Sequence, residues 1–287
     1  TAPHEAAVIE QAKDILSFLP QNCEEDPIAL EYTPKDEKRP KLDSIIPQNA
    51  SQPYDIREAV SEIVDSDSFF EVQKDYAENI VVGLARLAGR SVGVVANQPA
   101  FLAGVLDIRA SIKAARFVRT CDAFNVPLLV LEDVPGFLPG TDQEWNGIIT
   151  HGAKLLYAFS EATVPRVTVI TRKAYGGAYD VMNSRNIGAD MVYSWPTAEI
   201  AVMGAKGAAE IIFRKEISGA EDSVSKLSEK EAQYAELFAH PYNAAARGYV
   251  DEVINPRDTR EKLIAAFDML KNKVRNNPRK KHGNLPL

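Results

Sequence analysis

The stretch that decides the fold runs from Val164 to Asp180 and reads Val164-Pro-Arg-Val-Thr-Val-Ile-Thr-Arg-Lys-Ala-Tyr-Gly-Gly-Ala-Tyr-Asp180. Its first part, Val164 to Thr171, is rich in β-branched residues and predicts a buried strand. The segment from Lys173 to Gly177 predicts a sharp turn, because glycine accepts backbone angles that other residues avoid. Residues Ala178 to Asn186 then predict a helix, so the unit is strand, glycine turn and helix.

A similar unit occurs once before in the chain. Val126 to Glu132 predicts a buried strand, Val134 to Gly140 a loop, and Trp145 to Thr163 a helix whose apolar residues recur three or four positions apart. Strands that alternate with helices indicate an α/β fold with a substantially parallel sheet. In both units the loop leads from a strand end towards a helix.

The residues before these units predict an N-terminal extension. Residues 3–18 predict an amphipathic helix that Pro20 ends, and residues 21–47 form a polar, proline-dotted connector. We therefore divide the chain into residues 1–47, an N-terminal helix with an inter-domain connector, and residues 48–287, the main domain. The other predicted elements are a helix from Asp55 to Val64, a hairpin of residues 80–87 and 91–96, a helix over 107–124, strands at 191–195 and 199–203, and helices at 221–233 and 259–274.

Composition excludes several classes of protein. The formal net charge of −7 over 287 residues argues against a nucleic-acid binder, which needs a basic surface. No apolar run approaches the roughly 20 residues of a membrane span, and the first residues do not resemble a signal peptide, so we expect no direct membrane insertion. Two distant cysteines and four scattered histidines predict neither a disulfide framework nor a metal site. These features suit the cytoplasm or an equivalent matrix compartment.

The glycine turn is the main candidate for chemistry, because the sequence contains no nucleophile elbow, phosphate loop or metalloprotease motif. The first amides of a helix lack internal partners and lie at the positive end of its dipole. An oxyanion above Gly177 and Ala178 would therefore be stabilised. The alternative is a tight connection in which glycine serves packing alone, and the turn by itself does not decide between them.

The earlier loop offers a second donor. Gly136 and Phe137 follow a buried strand, so one of their amides could meet the amides of Gly177 and Ala178 at neighbouring strand ends. Two such arms would form an oxyanion hole. The Pro-Gly pairs of this loop are equally consistent with ordinary turns.

Taken together, these segments resemble the C-terminal half of the carboxyltransferase (β) subunits of biotin-dependent acyl-CoA carboxylases, above all of the propionyl-CoA carboxylase type, which belong to the crotonase-like superfamily. The resemblance covers essentially the whole chain. The segments that carry it are Asn97-Gln-Pro99, Leu106-Asp-Ile108, Ala115-Arg-Phe-Val-Arg-Thr-Cys-Asp-Ala-Phe-Asn125, Asp133-Val-Pro-Gly-Phe-Leu-Pro-Gly-Thr141, Gly152-Ala-Lys-Leu-Leu-Tyr-Ala158, Ala162-Thr-Val-Pro165, Arg172-Lys-Ala-Tyr-Gly-Gly-Ala-Tyr-Asp180, Trp195-Pro-Thr-Ala-Glu-Ile-Ala-Val-Met-Gly-Ala205 and Lys281-His-Gly-Asn-Leu-Pro-Leu287.

The resemblance implies a crotonase-like (ClpP/crotonase) spiral of ββα units with flanking helices. It also implies transfer of a carboxyl group from carboxybiotin to the α-carbon of propionyl-CoA, giving methylmalonyl-CoA without a covalent enzyme intermediate. The biotin oxyanion hole maps onto Gly177 and Ala178, with Gly136 and Phe137 as the second contribution. No metal is implied.

The residues around the hole are implied to bind substrate or biotin. They are Tyr175, Gly176, Tyr179 and Asp180. In propionyl-type members an aspartate follows the Gly-Gly-Ala-Tyr run, whereas several relatives that accept other acyl chains carry an apolar residue there. Asp180 is therefore the candidate for acyl-chain specificity, and a structural role at the start of a helix is its alternative.

The resemblance implies partners as well. Biotin is expected on a separate carrier, while ATP and bicarbonate are used by the partner α subunit, which contains the biotin carboxylase. Subunits of the family pair through a carboxyltransferase dimer interface, and a β hexamer is expected for the full-length enzyme. The acyl-CoA-binding N-terminal domain of the family has no counterpart here, so the isolated chain is expected to be inactive.

Two other functions remain open at this point. One is the α subunit of a methylmalonyl-CoA decarboxylase, which runs the same chemistry in reverse with a membrane partner, or another acyl-CoA carboxyltransferase. The other is a non-catalytic assembly module. Sodium dependence separates the first from a carboxylase, and reconstitution with an N-terminal half and a biotinylated carrier tests the second.

Overall fold

In a computed structural model, the protein is organised around one mixed sheet. The structure describes residues 2–47, 49 and 51–286. Residues 1, 48 and 287, at which the two predicted divisions begin or end, therefore lie outside the described part. The strands are β1 (Phe70–Val72), β2 (Ile80–Leu87), β3 (Arg90–Asn97), β4 (Leu128–Val134), β5 (Arg166–Tyr175), β6 (Met191–Ser194), β7 (Glu199–Ala201) and β8 (Glu252–Val253). The helices are α1 (Glu5–Ser17), α2 (Leu42–Ile45), α3 (Ile56–Ile63), α4 (Ile108–Ala123), α5 (Thr141–Trp145), α6 (Ile148–Glu161), α7 (Gly176–Val181), α8 (Ala205–Ile212), α9 (Arg214–Ser218), α10 (Ser223–Phe238), α11 (Tyr242–Ala245) and α12 (Thr259–Leu270).

The sheet changes from antiparallel to parallel along its width. Strands β1, β2 and β3 pair as antiparallel neighbours, and the turn of the β2–β3 hairpin uses left-handed backbone at Ala88 and Gly89. From β3 onward, β4, β5, β6 and β8 are parallel, while β7 pairs with the far end of β5. Parallel strands need crossover helices, and α4 and α6 provide them. The predicted α/β class and the hairpin are confirmed.

Helices cover both faces of the sheet. Alternate residues of the central strands therefore face two separate apolar cores, and both cores are closed to solvent. On one face α4, α6 and α7 pack over β4 through residues such as Val130 and Val134. On the other face α3 and α12 pack over Leu129 and Leu131.

The predicted connector lies along the main domain. Phe18 is buried in the core beneath α4, and the amide of Leu30 donates to the carbonyl of Gly89 at 2.9 Å. The buried Arg260 of α12 binds the carboxylate of Glu37. These contacts fix the connector in place. The division after residue 47 falls beside a residue outside the described part and stays a prediction.

Several boundaries differ from those predicted. Lys173, Ala174 and Tyr175 continue β5 instead of turning, because they pair with Glu199–Ala201 of β7. The helix predicted over 145–163 is interrupted at Gly147, whose φ of +85° is left-handed and starts α6 afresh. Helix α7 ends at Val181, well before the predicted Asn186, and Asn183 adopts a left-handed φ of +65°. The helices α8 and α9 were not predicted.

Two features are absent from residues 2–47, 49 and 51–286. None of the helices there combines the length and apolar character that crossing a bilayer requires. Within the same residues, no cluster of three or more histidine, cysteine, aspartate or glutamate side chains is arranged to hold a metal ion.

Candidate functional site

The two predicted loops leave the sheet from adjacent strand ends. Strands β4 and β5 are parallel neighbours, and their last paired residues are Val134 and Ala174. The carboxyl ends of parallel strands lie on the same edge of a sheet, where binding sites of α/β proteins are formed. The Gly136–Phe137 segment and the start of α7 are therefore brought to one edge, as the sequence predicted.

The turn into α7 is made by one glycine. Gly176 has a left-handed φ of +58°, and a Cβ there would lie 3.0 Å from the carbonyl oxygen of Val202. Tyr175 is the N-cap in extended conformation, and its side chain makes no capping bond to a described residue. The first amides of α7, those of Gly177 and Ala178, thus remain available to a ligand.

Neither backbone conformation nor packing against the described residues requires a glycine at position 177. Its φ is not left-handed, and a Cβ built on it would have no atom of the described residues within 4 Å. The residue is exposed, whereas the neighbouring Ala178 is 1% exposed and packs in the core. A side chain at position 177 would project into open space beside the free amides. The bare surface is therefore suited to a group that approaches from outside.

The second loop presents one amide in a defined direction. Leu106 donates to the carbonyl of Gly136 at 3.0 Å and accepts from the amide of Leu138 at 2.8 Å. Because backbone groups alternate in direction along an extended chain, the amide of Phe137 points away from Leu106. It donates to none of the described residues. Gly136, the other residue of the predicted pair, has a positive φ of +148°.

A buried ion pair connects the carboxyl ends of β4 and β5. Asp133, which is 0% exposed, accepts from Nε of Arg172 at 2.9 Å and from the amide of Lys173 at 3.1 Å. The hydroxyl of Tyr54 donates to the same carboxylate at 2.9 Å. Asp133 immediately precedes the Gly136–Phe137 loop, and Arg172 precedes α7. This role of Asp133 could not be predicted from the sequence, because its partners lie 39 and 79 positions away.

The remaining predicted residues flank the turn. The hydroxyl of Tyr175 donates to the carboxylate of Glu199 on β7, and burial together with this bond raises the pKa of Tyr175. Tyr179 is a buried residue of α7, and burial raises its pKa too. Asp180 is half-buried and accepts from Nδ2 of Asn186 at 2.9 Å. Together with Gly176, these residues fix the strand and helix on either side of Gly177.

Comparisons with known proteins agree with this architecture. The propionyl-CoA carboxylase carboxyltransferase subunit of Haloferax mediterranei is 57% identical over 99% of this chain and 55% of its own length. The methylmalonyl-CoA decarboxylase subunit alpha of Propionigenium modestum is 51% identical over 98% of this chain and 54% of its own length. The chain spans about half the length of the curated relatives it matches.

A solved structure matches the fold closely. The transcarboxylase 12S hexamer with methylmalonyl-coenzyme A and methylmalonic acid bound superposes with a TM-score of 0.93 at 53% identity, over 98% of this chain and 54% of that one. The predicted crotonase-like α/β fold is thereby confirmed. The family model of the carboxyl transferase domain matches residues 1–285, and the chain belongs to that family.

Proposed function

We propose that this chain forms the biotin-facing part of a propionyl-CoA carboxylase, where it moves a carboxyl group from carboxybiotin to the α-carbon of propionyl-CoA. The observation that carries the proposal is the bare surface at Gly177, which lies beside free amides and has no role in the chain's own packing. The names of relatives above 50% identity support the substrate.

The proposed chemistry follows from the backbone donors. Biotin on a separate carrier would supply an activated carboxyl group, and its ureido oxygen would carry negative charge when that group leaves. The amides of Gly177 and Ala178, with that of Phe137, donate to this oxygen and stabilise the charge. The proton lost from the acyl-CoA α-carbon balances the one that biotin gains. No side-chain nucleophile is required.

The remaining components are assigned to partners. A second subunit uses ATP and bicarbonate to carboxylate biotin, and the acyl-CoA is bound in part by residues outside this chain. A hexamer of carboxyltransferase subunits is supported by the assembly of the transcarboxylase 12S relative. For the compartment we propose the cytoplasm or a mitochondrial matrix, which suits two cysteines that are both free.

Reverse transfer is the second candidate, favoured by the methylmalonyl-CoA decarboxylase relative. Assays of the complete enzyme distinguish the two functions. A carboxylase forms methylmalonyl-CoA when supplied with ATP, bicarbonate and propionyl-CoA. Decarboxylation that depends on sodium and needs a membrane subunit would replace the first proposal with the second.

Asp180→Ile is expected to change the acyl-chain preference of the enzyme. Loss of the carboxylate beside α7 turns a polar border of the site into an apolar one, and one methylene in an apolar pocket is worth about 10–200-fold in specificity. The measurement is kcat/KM for acetyl-, propionyl- and butyryl-CoA. Asp180→Asn, which keeps the shape and the contact with Asn186, is the control and should retain the original order. An unchanged order in Asp180→Ile would contradict the specificity role.

A further inference from the structure

A buried carboxyl group lies beneath α7. Glu132 of β4 is 0% exposed, and neither of its carboxylate oxygens has a hydrogen-bond partner among the described residues. Isolated carboxylates are very costly to bury, so such a group is protonated or paired. The ion pair of Asp133 with Arg172 uses the next residue of the strand, and no cation of the described residues is paired with Glu132.

Two hydroxyl groups share this environment. In the sheet, Glu132 is opposite Ile170 of β5, and Ile170 is opposite Ser194 of β6. Paired residues of parallel strands point to the same face, so Glu132 and Ser194 flank Ile170. Tyr179 of α7 packs in the same apolar cluster as Ile170. The hydroxyls of Tyr179 and Ser194 are also buried without a partner among the described residues.

The charges around Glu132 oppose its ionisation. Burial, Asp133 and Asp180 all raise its pKa, and Asp180 lies on α7 itself. Burial raises the pKa of Tyr179, and so do the neighbouring Glu132, Asp180 and Tyr249, whereas Arg185 lowers it. Arg166, at the start of β5 on the same face as Ile170, already donates to Phe159, Asn183 and Gly188. A neutral carboxylic acid is therefore the stable form of Glu132.

We propose that Glu132 is a positioning residue for α7: as a neutral acid it supports the helix from below, and its ionisation loosens the helix. The hydroxyls of Tyr179 and Ser194 are the polar groups that a protonated carboxyl can engage there. Helix α7 packs directly on β4, so strain at Glu132 acts on the amides of Gly177 and Ala178. The consequence for catalysis rests on the proposed function, whereas the consequence for stability does not.

The sign of the pH effect follows from the raised pKa. Unfolded glutamate has a pKa of about 4.3, so between that value and the folded pKa the native state binds one more proton than the unfolded state. Stability is therefore full below the unfolded pKa and is lost as pH rises through the folded pKa. The folded-to-unfolded ratio falls by up to about tenfold for each pH unit in this window.

The test compares the chain with Glu132→Gln, in which a neutral amide replaces the acid, and with Glu132→Val, which removes the polar group. Denaturant unfolding between pH 4.5 and 9 gives the stability ratio, and hydrogen exchange of α7, corrected for intrinsic rate, locates the change. We expect protection of α7 to fall as pH rises in the parent chain and to stay constant in both variants. If parent and variants show the same pH dependence, the positioning role of Glu132 is overturned. Should one variant fail to fold, the comparison of the parent with the other variant is sufficient for this test.

The complete enzyme gives an independent second readout. In the parent, the transfer rate should fall over the same pH range as the protection of α7, and Glu132→Gln should transfer carboxyl groups without this fall. A stability effect without any effect on the transfer profile would overturn the link from Glu132 to the amides. Failure of the proposed function is recognised separately, because transfer would then not respond to substitutions at Gly177 at any pH.

Discussion

Gly177→Val is expected to leave the fold intact and to lower the rate of carboxyl transfer by about 10²-fold or more, the cost of displacing a reacting group by about 1 Å. The structure tolerates the new side chain, because a Cβ at position 177 meets no described atom within 4 Å. The side chain instead fills the space beside the amides of Gly177 and Ala178. Gly177→Ala should give a smaller loss in the same direction. The measurement is the transfer rate of the complete enzyme, with circular dichroism and denaturant unfolding as checks of the fold.

The control for this experiment is Gly207→Ala. Gly207 is also a glycine in the first turn of a helix, and its Cβ would meet only the sulfur of Met203 at 3.7 Å. Both substitutions remove the flexibility of glycine, but only those at Gly177 fill the proposed site. Full transfer activity in Gly177→Val would show that the open space beside Gly177 is not used in carboxyl transfer.

Ala178→Pro complements this test by removing an amide instead of adding bulk. Loss of one oxyanion donor typically costs about 10²–10³-fold in rate. Proline also disturbs the backbone, so Ala178→Gly, which keeps the amide, is the matched variant. We expect Ala178→Gly to transfer carboxyl groups and Ala178→Pro to be inactive. Retained activity in a folded Ala178→Pro enzyme would contradict the assignment of the donor.

The second large effect concerns the stability of the fold. Asp133→Ala is expected to lower the free energy of unfolding by about 3–5 kcal/mol, because it leaves the buried guanidinium of Arg172 without its partner. The amide of Lys173 and the hydroxyl of Tyr54 lose an acceptor as well. Denaturant unfolding of the chain measures this directly.

An exposed ion pair provides the comparison for Asp133→Ala. Lys262 and Glu252 are 2.6 Å apart, and both side chains are more than a third exposed. Glu252→Ala should therefore cost at most about 1 kcal/mol. If Asp133→Ala lowers the free energy of unfolding no more than Glu252→Ala does, the Asp133–Arg172 pair does not stabilise the ends of β4 and β5.

Much of the fold follows from local patterns in the sequence. The β-branched runs of β2 and β3, the cap at Asp55 and the alternation of strands with helices are each encoded within a few residues. The position of the candidate site at a sheet edge also follows from the sequence, because a glycine turn after a buried strand must lie there. Parallel order then brought the two loops together.

Features that depend on distant partners could not be predicted in this way. Lys173 and Tyr175 resemble turn residues in the sequence, yet pairing with β7, some 26 positions later, extends the strand through them. Asp133 and Glu132 are adjacent acids with opposite surroundings, one paired with Arg172 and the other buried without a partner among the described residues. Only the sheet register and the packing of α7 distinguish them.

The most direct test of the central claim is a structure of the complete carboxyltransferase with its biotinylated carrier bound. We expect the ureido oxygen of biotin at about 2.7–3.1 Å from the amide nitrogen of Gly177 or Ala178, with the amide of Phe137 directed at the same oxygen. A ureido group bound away from the open side of Gly177, with these amides bonded to other groups, would contradict it.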